Sequence, residues 1–130
     1  MAGAREVKEV EEVKEVKDQR HRNAPVKTYS DLLVYKQAYR LTLRVSAFSR
    51  TMPREEQFEL GRQLRRSSRS VGANRRHLII AAGEVAETKY WLELAADEGF
   101  VARTTAESLV REYSKLGFMI HNLWKEWRKL

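Results

Sequence analysis

The sequence predicts an all-α protein, an antiparallel up-down-up-down four-helix bundle, and three observations carry that prediction. Apolar residues recur at alternating steps of four and three along most of the chain after residue 29, the spacing of one helix face. Breakers are few, two prolines and six glycines in 130 residues, and Pro53, Gly72 and Gly99 stand where one helix gives way to the next. An apolar share of 42% suffices for a packed core, and a charged share of 33% suits amphipathic helices better than strands.

Residues 1–25 read as a low-complexity charged tail and linker, a disordered or frayed helix, and residues 26–130 as the bundle. In REVKEVEEVKEVK, Val7, Val10, Val13 and Val16 stand three apart, a period that drifts around a helix, and no larger apolar group supports them. Ala24 and Pro25 form the link. Helix one follows, with Ser30 as its expected N-cap and Val34, Ala38, Leu41, Val45 and Phe48 on one stripe. Pro53 suits the first turn of helix two, where a missing N–H costs nothing, and Glu55 and Glu56 sit near the positive end of its dipole. Its stripe is Leu60, Leu64, Ser67 and Val71.

Helix three buries Leu78, Ala81, Val85, Thr88, Leu92 and Ala95, a face thinned by alanine and threonine, and Gly99 stops it. Helix four has Thr104 and Glu107 spaced as a capping box, then Leu109, Tyr113, Leu116, Ile120, Leu123 and Trp127 in strict alternation. Gly61 and Gly117 fall inside helices, where each costs about 1 kcal/mol against alanine, so close approach of a neighbouring helix is expected at both.

The charge is unevenly placed. Residues 1–22 carry six basic and six acidic side chains, so the whole excess of +7 lies in the body, 19 basic against 12 acidic. A basic body favours a polyanionic partner, RNA or DNA. The stretch GRQLRRSSRSVGANRRH, residues 61–77, holds six arginines and no acid. At 100° per residue Arg62, Arg65, Arg66 and Arg69 point away from the apolar stripe, and Arg75 and Arg76 extend the charge past the turn. Guanidinium forks match phosphate bidentately, and an ordinary solvated face would mix in glutamates. These six arginines are the candidate nucleic-acid contacts.

Other chemistry finds little support. The chain has no cysteine, hence no disulfide, thiolate nucleophile or cysteine-based metal site, and His21, His77 and His121 lack metal-ligand spacing. No metal, cofactor or enzymatic activity is expected: neither a phosphate loop, a nucleophile with its base, nor a catalytic carboxylate pair can be assembled. Trp91, Trp124, Trp127 and Tyr113 could stack bases, but at helical spacing they read as core or subunit-interface residues. A charged N-terminus and the lack of a run of about 18 apolar residues argue against export and the membrane, and a cytoplasmic protein is expected.

Three strings, YSDLLVYKQAYRL, FSRTMPREEQFELGRQLRRSSRSVGAN and AETKYWLELAADEGF, resemble the small four-helix-bundle family of 23S ribosomal RNA intervening-sequence proteins, over residues 29–130. Its sister branch is the accessory variability determinant of diversity-generating retroelements, to which RRSSRSVGAN and ETKYWLELA are somewhat closer. The resemblance implies a homopentamer with a basic surface and, in the retroelement branch, a reverse transcriptase and its RNA as partners. The matching positions are Arg62, Arg65, Arg66 and Arg69, with Asn74 at the helix end. Just beyond, the family continues with an Ile-Ala-Glu-Gly type segment and a further basic turn, so about four helical turns are missing by comparison. A segment dropped between Asn74 and Arg75 is the expectation. The alternative is a tight turn with Gly72 or Asn74 in the left-handed conformation.

Overall fold

A computed structural model of the chain describes residues 28–129, so the expected tail of residues 1–25 lies outside the described residues. The helices are α1 (Tyr29–Ser49), α2 (Arg54–Phe58), α3 (Leu60–Ala73), α4 (Leu78–Asp97) and α5 (Arg103–Arg128). The chain divides into two units, Met1–Leu32 and Leu33–Leu130. In the first, the Thr28 hydroxyl accepts the Asp31 N–H at 3.0 Å. Thr28 therefore caps α1, two residues ahead of the expected Ser30.

The second unit is an all-α four-helix bundle in which α2 and α3 together supply the second helix. Antiparallel order is read from the contacts. A methyl on Gly61, at the start of α3, would lie 3.6 Å from Ser49 Cβ at the end of α1, and one on Gly72, near the end of α3, 3.9 Å from Ala38 Cβ. The Thr42 hydroxyl bridges the same pair, 2.8 Å from the Ala38 carbonyl and 3.1 Å from that of Ser68. Ser67 of α3 and Thr88 of α4 share a hydrogen bond of 2.8 Å. Glu112 of α5 closes the ring, accepting from Gln37 Nε2 at 3.2 Å and Arg40 Nη2 at 3.1 Å.

The apolar stripes of all four helices meet inside. Leu41, Val45, Leu64, Leu92, Ala95 and Leu116 are fully enclosed, with Trp91, Trp124 and Trp127 packed against the core as half-buried residues. Each such leucine contributes about 1.5–3 kcal/mol through burial. Tyr113 is enclosed too, and burial pushes its phenol well above the usual range, an effect that the Arg44 charge partly offsets.

Four further local expectations need correction. Helix two is broken at Glu59 (φ −96°, ψ −83°), so α2 is a five-residue piece ahead of α3. The predicted capping box of helix four does not form: Ala102 is the N-cap and no side chain bonds the free N–H groups, although the Ala106 N–H reaches the Ala102 carbonyl at 3.1 Å. Gly117 is no close-approach position, since a methyl there would meet Val85 Cγ1 at an ordinary 3.5 Å. At Gly61 the tight contacts come from helix two itself, 3.3 Å to the Glu56 carbonyl and 3.1 Å to Arg65 Nη1, while Ser49 Cβ of α1 stays at an ordinary 3.6 Å.

The fourth correction concerns the link after α3. Asn74 and Arg75 are consecutive in a compact turn, with no dropped segment between them. The Arg75 N–H donates to the Gly72 carbonyl at 3.2 Å and the His77 N–H to that of Asn74 at 2.7 Å. Neither Gly72 nor Asn74 is left-handed; Asn74 has φ −105°, and Gly99 alone among the described residues has a positive φ. The Asn74 amide instead reaches back to the Ser70 carbonyl and hydroxyl, both at 2.9 Å, so a side chain ties off the helix end. From Arg54 through Ala73, α2 and α3 span 20 residues, matching the 20 of α4 and 21 of α1, while α5 runs longer at 26.

Candidate nucleic-acid interface

The outer side of α3 follows from its pitch. With Leu60, Leu64, Ser67 and Val71 buried, the arginines fall on the remaining arc, but they do not share one environment. Arg62 and Arg69, seven residues apart and thus nearly in line, are exposed and make no ion pair among the described residues. Arg65 leans toward α1. Its guanidinium donates to Ser49 Oγ at 3.1 Å and to the Gln57 carbonyl at 3.2 Å, while Gln57 Nε2 donates to the Met52 carbonyl at 2.9 Å. This arginine holds the end of α1 to α2.

Arg66 leans the other way, toward α4. Its guanidinium donates to Glu87 Oε2 and lies 3.7 Å from Glu84 Oε1, and Trp91 Nε1 donates to the same Glu87 oxygen at 3.0 Å. The bond to Arg66, then that from Trp91, holds the Glu87 carboxyl below its ordinary range, and Arg66 is raised in turn. The expected row of four equivalent outward arginines is thus two exposed cations without an ion pair, flanked by the half-buried Arg65 and the exposed but ion-paired Arg66. Glu84 and Glu87 were missed because stretch 61–77 holds no acid; their i, i+3 spacing on the side of α4 beside α3 was the available signal.

Past the turn, Arg75 is half-buried, donates to the Gly72 carbonyl at 3.0 Å and lies 4.9 Å from the Tyr35 ring centroid, a cation–π contact between the turn and α1. Arg76 is half-buried beside it. Among the described residues no three His, Asp or Glu side chains gather where a metal could bind, and no helix is long and apolar enough to cross a membrane.

The model of the 23S rRNA-intervening sequence protein family matches residues 30–122, from the first turn of α1 to Asn122 of α5, and so includes all four helices of the bundle. The chain belongs to that family. No curated protein matches it. The match agrees with the family resemblance of the three sequence strings, and the α3 arginines of this intervening-sequence family member lie inside the matched range.

Proposed function

We propose that this protein is a non-enzymatic, oligomeric accessory protein that binds RNA or DNA through its phosphates and takes no cofactor. One observation carries the reading: Arg62 and Arg69 stand about 10 Å apart along α3, exposed, with no carboxylate engaged to either. A guanidinium in that state can accept a phosphate without first breaking an ion pair. Binding of this kind follows backbone charge and reads no bases. Self-association is supported by the first half of α4, where the outward residues Ile79, Ala82, Gly83, Ala86 and Tyr90 are exposed and uncharged ahead of Glu93 and Asp97 on the same side. A reverse transcriptase is the protein partner that the resemblance to the retroelement branch brings with it, and a flanking reverse-transcriptase gene with repeats would select that branch.

The test spares the bracing arginines. Arg62→Gln with Arg69→Gln is expected to keep native helicity, weaken RNA binding and make the log–log salt dependence shallower by about 1–2 units. A second reading, a structural module whose arginines meet acidic protein surfaces, draws on Arg66, which already meets Glu84 and Glu87 in this way. Unchanged RNA affinity in the double variant would establish that second reading over the first.

A further inference from the structure

The core stripe of α5 has a counterpart on its outer side. Lys115, Phe118, Asn122, Lys125 and Lys129 stand at steps of three and four, all exposed, so they form one line along the helix opposite Leu109, Tyr113, Leu116, Ile120 and Leu123. Arg111, one turn before Lys115, extends it. The three lysines make no ion pair among the described residues. Of the two acids between Arg111 and Lys129, Glu112 is taken by Arg40 at 3.1 Å, and Glu126 lies on the flank. Lys115 to Lys125 spans about 15 Å.

In the middle of this cationic line Phe118 is 70% exposed. Trp124, on the α4 side of the line, carries the Arg128 guanidinium 4.6 Å from its centroid and the His121 ring stacked at 6.0 Å. Among the described residues Phe118 has neither a cation nor another ring against it. A large apolar ring between lysines is unfavourable in water and offers nothing to a duplex, whose bases are stacked on one another. An unpaired base can stack on it, and the adjacent lysines then neutralise the flanking phosphates.

We infer that the outer face of α5 is a second nucleic-acid surface, one that selects single-stranded segments, with Phe118 as the stacking platform and Lys115, Lys125 and Lys129 as phosphate contacts. The inference rests on the nucleic-acid reading above and adds to it a site and a strand preference. Charge complementarity selects this ligand: a line of three cations suits a polyanion, and an apolar ring at its centre suits exposed bases.

The full chain is titrated with a labelled single-stranded oligouridylate of about 15 nucleotides, the upper range for such sites, and with an RNA duplex of equal length. Phe118→Ala is expected to lose about tenfold in affinity for the single strand and none for the duplex, and Phe118→Trp to restore it. Lys115→Gln, Lys125→Gln and Lys129→Gln together should make the single-strand salt slope shallower by about 2. Circular dichroism confirms that each variant folds. Wild-type binding that depends on Arg62 and Arg69 but not on these residues would overturn this inference and leave the α3 reading standing. Equal losses for both strand types would overturn the stacking role. A changed sedimentation coefficient in Phe118→Ala would make the ring a subunit contact and sink the proposal. No binding of either probe by wild type would defeat the nucleic-acid reading itself, and this inference with it.

Discussion

Arg65 and Arg66 are neighbours in the chain, yet 100° of helix rotation sends one to α1 and the other to α4. Arg65 donates to neutral oxygens and Arg66 to carboxylates, so of the two only Arg66 is paired as an ion, and Arg62 and Arg69 face solvent. The Arg66–Glu87 pair has a pH signature whose sign follows from its shift. The carboxyl of Glu87 is held below its unfolded value by Arg66, so the native state binds fewer protons there, and the pair adds stability above the ordinary glutamate range. That contribution is lost as pH falls through and below about 4. Glu87 is a third exposed, so the effect is small. Thermal midpoints between pH 7 and 3 should decline less steeply in Glu87→Gln than in wild type; identical slopes would show that the pair is not held in solution.

At the scale of elements, the ends of the helices separate the signals that worked from those that did not. Gly99 stops α4 as expected: it takes φ +78°, its N–H donates to the Ala96 carbonyl at 3.0 Å, and the Phe100 N–H reaches the Ala95 carbonyl at 2.9 Å. These two bonds satisfy carbonyls left open at the helix end. Thr104 fails as a cap because the helix begins one residue earlier, at Arg103. Gly99→Ala, which forces a side chain into the left-handed region, is expected to cost about 1–2 kcal/mol, and Thr104→Ala less than about 0.5 kcal/mol. Denaturant unfolding measures both. A loss near 1 kcal/mol at Thr104, the usual worth of a cap, would place the capping box back in the folded protein. The turn at Asn74 taught a different lesson, since a family pattern implied a missing segment where a side-chain amide closes the helix in four residues.

For the whole molecule, the outward side of α4 is the surface that a neighbour would cover. Outside the side it buries, along Leu78, Ala81, Val85, Thr88, Leu92 and Ala95, and the Glu84 and Glu87 edge that meets Arg66, α4 presents the exposed uncharged residues Ile79, Ala82, Gly83, Ala86 and Tyr90. Copies of the chain are the expected cover, with a pentamer the number implied by the family resemblance. Sedimentation at micromolar concentration should therefore give an oligomer, and Ala86→Arg, at an exposed position with room for a longer side chain, should break it into helical monomers. A wild-type monomer would sink the assembly, and a dimer would remove the pentamer.

The sequence by itself determined the helices and the core, because a 3.6-residue period is a property of neighbours along the chain: the predicted stripes from Val34 to Leu123 are the residues now buried. It also determined the family, through three strings that, but for Tyr29, lie in the matched range. Where the bound charges went was decided by tertiary structure. Ser49, Gln57, Glu84 and Glu87 reach the arginines from other helices or turns, and no window along one helix contains them. The break at Glu59 and the cap at Thr28 belong to the same class, since each depends on backbone geometry that side-chain periodicity does not encode. A one-dimensional pattern tells which side of a helix is wet; only packing tells which of the wet cations is already paired.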